Sequence, residues 1–485
     1  LGGRLLFQYG RTAEIPCALP GEQGPMMQGE QPYTPVRQAR FVIVALFAGA
    51  LTGIFGGLFH VAAESLVFWP AWLGRHLDGW ALVVACSLVT MAATLFAAWL
   101  TRRYAPEAGG SGVPEIEGSI EGLREVRWQR VLPVKFTAGV AAIGSGLVLG
   151  REGPTIHMGG SAALAAADLC KVDGVDRRAL LAAGAAAGLA CAFNAPMSAV
   201  LFVIEETRRQ FPYSFRTYMG VFAAAIAGTT VTELISGLRP FMFIETSRAA
   251  LGALPAFALL GLLLGVVGVL FNHGILRMLD LAAAMQRRVP YLWPALVGLA
   301  IGALLTLAPQ TVTGGERVIA DLAVATPAFS VLLFLAVARF FTSVVSYSAG
   351  TPGGIFAPLL TLATCIGLAF GMAFDMAVPG LLRSLEVTPV SFGVVAMAAL
   401  FSASVRAPAV GIVLVVELTG AYALTLPMLA ACLASGLVAE WLGGRPIDAQ
   451  MLERTLKQAG VVPPAEVQPE AGLTADAGLR RSKGA

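Results

Sequence analysis

Apolar residues run almost unbroken from Phe41 to about Trp72, and again from Trp80 to Leu100. As a helix rising about 1.5 Å per residue, each run crosses the roughly 30 Å of hydrocarbon in a bilayer. The pair predicts a helical hairpin. Arg37 and Arg40 precede it and Arg102 and Arg103 follow it, while Trp69, Trp72 and Trp80 gather at its turn beside Arg75 and Asp78. This basic excess at the open end predicts cytoplasmic ends and an outer aromatic belt.

Beyond Lys135 the apolar runs shorten and are punctuated by Gly and Pro: 136–150, 155–167, 179–204 and 217–236, then 251–275, 291–308, 328–348, 355–380, 391–405 and 407–441. Many are too short to span alone, which predicts tilted or half-crossing helices that meet near mid-membrane. An internal repeat points the same way. A shift of 212 residues sets Asn194-Ala195-Pro196 on Arg406-Ala407-Pro408, Val203 on Val415, Glu205 on Glu417 and Thr207 on Thr419. An acid kept in register within apolar surroundings is the informative part of that match. The chain is thus expected to be an all-α polytopic membrane protein with two related halves, 38–236 and 250–441. A polar N-terminal tail (1–37) and a short cytoplasmic C-terminal tail (442–485) flank them, the latter with a short amphipathic helix over Ala449 to Gln458 and no regulatory domain.

Composition agrees. Of 485 residues 56% are apolar and 13% charged, where a soluble domain carries about 25% charged residues, and mean hydropathy is +0.74. A water-soluble enzyme of this composition would expose far too much apolar surface, and a net charge of +3 is too even for a nucleic-acid binder. The partner solvent is the lipid bilayer. Six cysteines without a CxxC pair suggest neither a disulfide framework nor a metal site. No P-loop, HExxH or GxSxG sequence supports nucleotide-driven or hydrolytic chemistry, and no cofactor is expected.

Three short motifs carry the candidate chemistry: Gly110-Ser111-Gly112-Val113-Pro114-Glu115, Gly150-Arg151-Glu152-Gly153-Pro154 and Gly353-Gly354-Ile355-Phe356-Ala357-Pro358. Each places glycines just before a proline and then opens an apolar run, the pattern of a helix N-terminus. Inside a membrane such an end presents unpaired N–H groups and the positive end of the helix dipole, an anion site made without full charges. Weak partial charges hold a small anion without trapping it, which throughput requires. The Ser111 hydroxyl is placed to add a donor.

Glu152 lies between fifteen uncharged residues before Arg151 and thirteen after Pro154. So costly an acid in lipid is either salt-bridged to Arg151 or functional, its carboxylate imitating the transported anion when ionised and leaving when protonated. Glu205 and Glu206 end another uncharged run; helical neighbours point about 100 degrees apart, so the two acids face different surroundings. His60 and Glu64 stand four apart and read as a buried hydrogen-bonded pair rather than a metal site. Asp168, Asp173 and Asp176 read as a solvated connection.

The three motifs, in this order and at this spacing, together with 128–136 (WQRVLPVKF) and 184–206 (GAAAGLACAFNAPMSAVLFVIEE), resemble the signatures of the CLC chloride channel and transporter family, most closely its bacterial members. The likeness extends over roughly 38–441. It implies two inverted halves and a homodimer with one anion pathway per subunit, in a bacterial inner membrane with both termini cytoplasmic. It further implies chloride coordinated by the Ser111 and Tyr422 hydroxyls and the Ile355 and Phe356 N–H groups. Glu152 would be the gating acid on the extracellular side, and Glu206 the internal proton-transfer acid. Gly110, Gly112, Pro114, Gly150, Arg151, Gly153, Pro154, Gly354 and Pro358 would support these groups. The expected activity is exchange of chloride for protons; the alternative is a passive voltage- or pH-gated chloride channel on the same fold. A membrane-embedded enzyme would need a nucleophile or metal that the sequence does not offer, and a non-transporting scaffold would leave Glu152 without a role.

Overall fold

The computed structural model describes residues 35–206, 214–237, 244, 246 and 248–460, so most of both predicted tails lies outside the described residues. Among the described residues no strand forms and helices carry the chain, as expected where lipid offers no backbone partners. The hairpin is α1 (Pro35–Leu66), α2 (Trp69–Leu73) and α3 (Gly79–Tyr104). Then come α4 (Val113–Ile120), α5 (Trp128–Gly144), α6 (Glu152–Leu169), α7 (Gly174–Phe193), α8 (Pro196–Glu206) and α9 (Phe215–Ser236). The second part holds α10 (Leu254–Arg288), α11 (Leu292–Leu307), α12 (Glu316–Val324), α13 (Phe329–Tyr347), α14 (Phe356–Ala377), α15 (Leu381–Ser384), α16 (Pro389–Val405), α17 (Pro408–Thr419), α18 (Thr425–Trp441) and α19 (Ile447–Gln458).

Two predicted single runs are broken. The run 179–204 splits at Asn194 and the run 407–441 at Gly420, both left-handed with φ of 53° and 72°. A left-handed residue ends a helix by turning the chain back so that its own N–H satisfies one of the last carbonyls, and a proline shortly afterwards opens the next one. Lengths vary as expected: α1 and α10 have 32 and 35 residues, whereas α4, α8 and α17 have 8, 11 and 12. At about 1.5 Å per residue the first two must tilt to fit about 30 Å, and the last three cannot cross it. α10 outruns its apolar pattern by thirteen residues, 276–288, ending in Arg287 and Arg288, and α19 starts at Ile447 rather than Ala449.

The central helices α6, α7, α14 and α16 are buried along nearly their whole length, while α1, α10 and α18 turn leucine and phenylalanine outward. Small residues permit the tight packing. A Cβ added at Gly49 of α1 would lie 2.7 Å from the Ala224 Cα of α9, and one at Gly261 of α10 would lie 2.9 Å from the Ala431 Cα of α18. One turn on, Gly53 meets Val231 and Gly265 meets Val438, each at 2.7 Å by the same measure. Residues 49 and 53 become 261 and 265 under the 212-residue shift, so one helix contact is built twice.

Candidate anion and proton site

Backbone hydrogen bonds hold the three motifs together. Gly150 and Gly354 exchange two N–H···O bonds of 2.8 and 2.7 Å. Gly110 donates to the Thr351 carbonyl and accepts from the Gly353 N–H, both at 3.1 Å. Gly112, with φ of 93°, turns the chain into α4 in a conformation only glycine adopts cheaply, and a Cβ there would strike the His157 side chain. Each motif therefore starts a helix, as predicted: α4 one residue after Gly112, α6 at Glu152 and α14 at Phe356.

Glu152 is fully buried, and its Oε1 accepts the Phe356 N–H at 2.6 Å and the Ala357 N–H at 3.4 Å; its Oε2 has no partner. The carboxylate sits at the N-terminus of α14, on the backbone donor expected to hold the anion. Glycine makes room for it: a Cβ on Gly354 would lie 2.6 Å from the Glu152 Cδ. Ile355 is buried as the residue before α14, and Phe356 sets its ring edge-on to Phe401 with centroids 4.9 Å apart.

Arg151 does not pair with Glu152. It donates to the Ala192 carbonyl at 2.9 Å, contacts His60 and lies 3.6 Å from Glu316. His60 in turn pairs with Glu64 at 3.2 Å, and Glu64 takes an Arg317 bond at 3.0 Å. This pair is not the buried one expected from sequence. Glu64 lines two clefts of about 100 and 280 Å³ and His60 the larger of them; both clefts reach Arg151 and the smaller reaches Gly150, beside the helix start that bears Glu152.

Ser111 is 3% exposed, and its Oγ accepts the Val113 N–H at 3.4 Å while the N-terminus of α6 presses on it, a Cβ on Gly153 falling 2.8 Å from that oxygen. The hydroxyl hydrogen is left to point elsewhere. The expected second hydroxyl is displaced. Tyr422 is 72% exposed in a short 3-10 turn, because Gly420 ends α17 and carries the chain outward, so Tyr422 does not reach Ser111. The tyrosine at the site is Tyr347, at the end of α13. Its hydroxyl accepts the Ser111 N–H at 3.2 Å and donates to the Met451 sulfur at 3.1 Å.

Glu206 shares a hydrogen bond with buried Glu117 of α4, an acid that sequence reasoning missed. A bond between two carboxyl groups requires a proton, so the pair is a proton-holding unit. Glu205 turns away to the start of α17, as the 100° step between neighbours requires. Lys135, also missed, is fully buried and donates to the Ala108 and Gly110 carbonyls at 3.0 and 2.8 Å. Its charge braces the first motif from behind. The polar connection is more tied down than predicted: Asp168 accepts from the Trp128 indole at 2.7 Å, and Asp176 bridges Arg37 and Arg216.

The chain is similar to known proteins in sequence and in fold. The family model for voltage gated chloride channels matches residues 93–440. The chain is 42% identical over 426 residues to the H(+)/Cl(-) exchange transporter ClcA of Vibrio parahaemolyticus, covering 86% of this chain and 90% of that protein. It is 43% identical over 428 residues to the H(+)/Cl(-) exchange transporter ClcA of Cronobacter sakazakii, covering 85% and 90%. Among solved structures, a slow cyanobacterial Cl-/H+ antiporter superposes with a TM-score of 0.83 at 34% identity, over 87% of this chain and 99% of that one.

Proposed function

Because the chain belongs to the voltage-gated chloride channel family, we propose that it exchanges chloride for protons across a bacterial inner membrane, as a homodimer with one pathway in each subunit and both termini in the cytoplasm. The observation that carries this reading is the Glu152 carboxylate on the Phe356 N–H. A carboxylate and a chloride ion compete for the same donors, so the seat holds one or the other. Protonation removes the charge that holds Glu152 there, and the helix end is then free for the anion. One proton bound and one seat vacated is the link between the two fluxes.

The inward proton route runs from Glu152 toward the Glu117–Glu206 pair, and the inward anion route toward Ser111, with chloride held by the Ser111 hydroxyl and the N–H groups of Ile355 and Phe356. Glu206 favours exchange over a passive channel, since a channel has no use for a second buried proton-holding group. The duplicated contact of α1 with α9 and α10 with α18 supports two related halves, 38–236 and 250–441. The two bacterial exchange transporters named above support chloride and protons as the cargo, and transport rather than catalysis as the activity.

The deciding experiment uses the purified protein in liposomes under an imposed chloride gradient, with voltage clamped by potassium and valinomycin and no initial pH gradient. Protons driven uphill by chloride establish exchange. Chloride flux alone makes the protein a channel, and absence of flux rejects transport.

A further inference from the structure

Asp448 is the buried acid that this scheme leaves unused. It lies in the first turn of α19, has no exposed surface, and neither of its carboxyl oxygens has a hydrogen-bond partner. Met451, three residues on, takes the Tyr347 hydroxyl hydrogen, and that same hydroxyl accepts the Ser111 N–H. Leu452 packs against Gly118 of α4. The start of α19 thus closes in beneath the Ser111 motif, and none of the residues lining the two Arg151 clefts belongs to it.

The charges that reach Asp448 are acidic. Glu115 and Glu117 of α4, Glu206 of α8 and Glu152 of α6 all act on it, and the Tyr347 hydroxyl of α13 lies within its field. Glu115 is matched by Arg124 at 2.6 Å. On α19 itself Glu453 is held by Arg445 at 3.0 Å, and Arg454 is taken by Asp280 of α10 at 2.9 Å. The segment of α16, 389–405, contains no ionisable residue. An ionised carboxylate with no donors in such a place is costly, whereas a neutral carboxylic acid has one O–H to give. Burial first, then Glu206, Glu115 and Glu152, lift the Asp448 carboxyl well above the usual aspartate range. The hydroxyl it then carries lacks an acceptor, and an anion beside Ser111 supplies one.

We propose that Asp448 is a second protonatable gate: as the neutral acid it donates its hydroxyl to an anion approaching Ser111 from the α19 side, and as the carboxylate it repels that anion and closes the approach. The proposal rests on the chloride and proton reading above. It makes anion binding from this side require a proton of its own, separate from the one on Glu152.

The test is calorimetric titration of chloride into the purified full chain in detergent, in a Glu152→Gln background so that the competing carboxylate no longer titrates. Chloride affinity falls by about tenfold between about pH 5.5 and about pH 8.5 in that background, and by less than about twofold once Asp448→Asn is added, because asparagine keeps a donor but cannot ionise. Asp448→Ser, a second donor that does not titrate in this range, gives the same flat profile and guards against a folding defect in the first variant. A profile unchanged by either substitution, or flattened by Glu206→Gln instead, overturns the gate and leaves the chloride reading intact. Absence of chloride binding at every pH overturns the chloride reading and the gate together.

Discussion

Glu205 and Glu417 cap each other's helices. Glu417, near the end of α17, accepts the Met197 and Ser198 N–H groups at 2.9 and 2.7 Å at the start of α8, and Glu205, near the end of α8, accepts the Ala409 and Val410 N–H groups at 3.3 and 2.9 Å at the start of α17. These are the two acids that the repeat superposes. Each meets the positive end of a dipole, so what reads in sequence as a pair of isolated acids in an apolar chain is a reciprocal clasp between two short helices.

Glu417→Ala leaves two N–H groups of α8 without an acceptor and should cost about 1–2 kcal/mol. Thermal unfolding in detergent checks this, with Glu417→Gln recovering part of the loss because an amide oxygen still accepts. The ratio of proton to chloride flux should stay at the wild-type value, since Glu417 touches neither route.

Glu152→Gln should abolish proton coupling while chloride continues to move. The amide carries no charge to compete at the α14 N-terminus and no proton to release. Proton flux recorded with a pH electrode under a chloride gradient should fall to the level of protein-free liposomes, and sustained uphill pumping by this variant would refute the mechanism.

Ser111→Pro removes both the hydroxyl and the N–H that now reaches Tyr347. The resemblance to the family associates proline here with nitrate-preferring members, so relative permeation in an anion competition assay should move from chloride toward nitrate. Unchanged selectivity would mean that Ser111 does not line the anion path.

Gly354→Ala sets a methyl group against the Glu152 carboxyl carbon and, at 2.8 Å, the Gly153 nitrogen. Overpacking of this kind costs about 1–3 kcal/mol. Adding Glu152→Ala removes half of the clash, so the double variant should unfold at a higher temperature than the sum of the single losses predicts.

The helix starts at Val113, Glu152 and Phe356 were legible because glycine and proline act locally, and each motif contains its own turn. The hairpin of α1 and α3 was legible from length and hydropathy. What escaped depends on partners distant in the chain. Lys135 lies midway along α5, an otherwise ordinary helix, and its role appears only when the carbonyls of Ala108 and Gly110 are folded onto it. Asp448 stands in a run, 447–458, whose alternation of polar and apolar residues reads as a helix half in water. Tyr422 is what the family resemblance implies as the second hydroxyl, and the left-handed turn at Gly420 sends it outward instead. Glu117 had the clearest missed signal, since an acid two residues after Glu115 on a short helix must face the other way.

The paired hydrogen bonds between Gly150 and Gly354 fasten the start of α6 to the start of α14, so the frame around the anion cannot part without breaking both. On the proposed mechanism, traffic through such a frame is regulated like a turnstile, by the swing of side chains rather than the rocking of one half against the other. A covalent cross-link between the two helix ends, placed clear of Glu152, would therefore leave turnover nearly intact, where it would stall any transporter that works by opening a hinge.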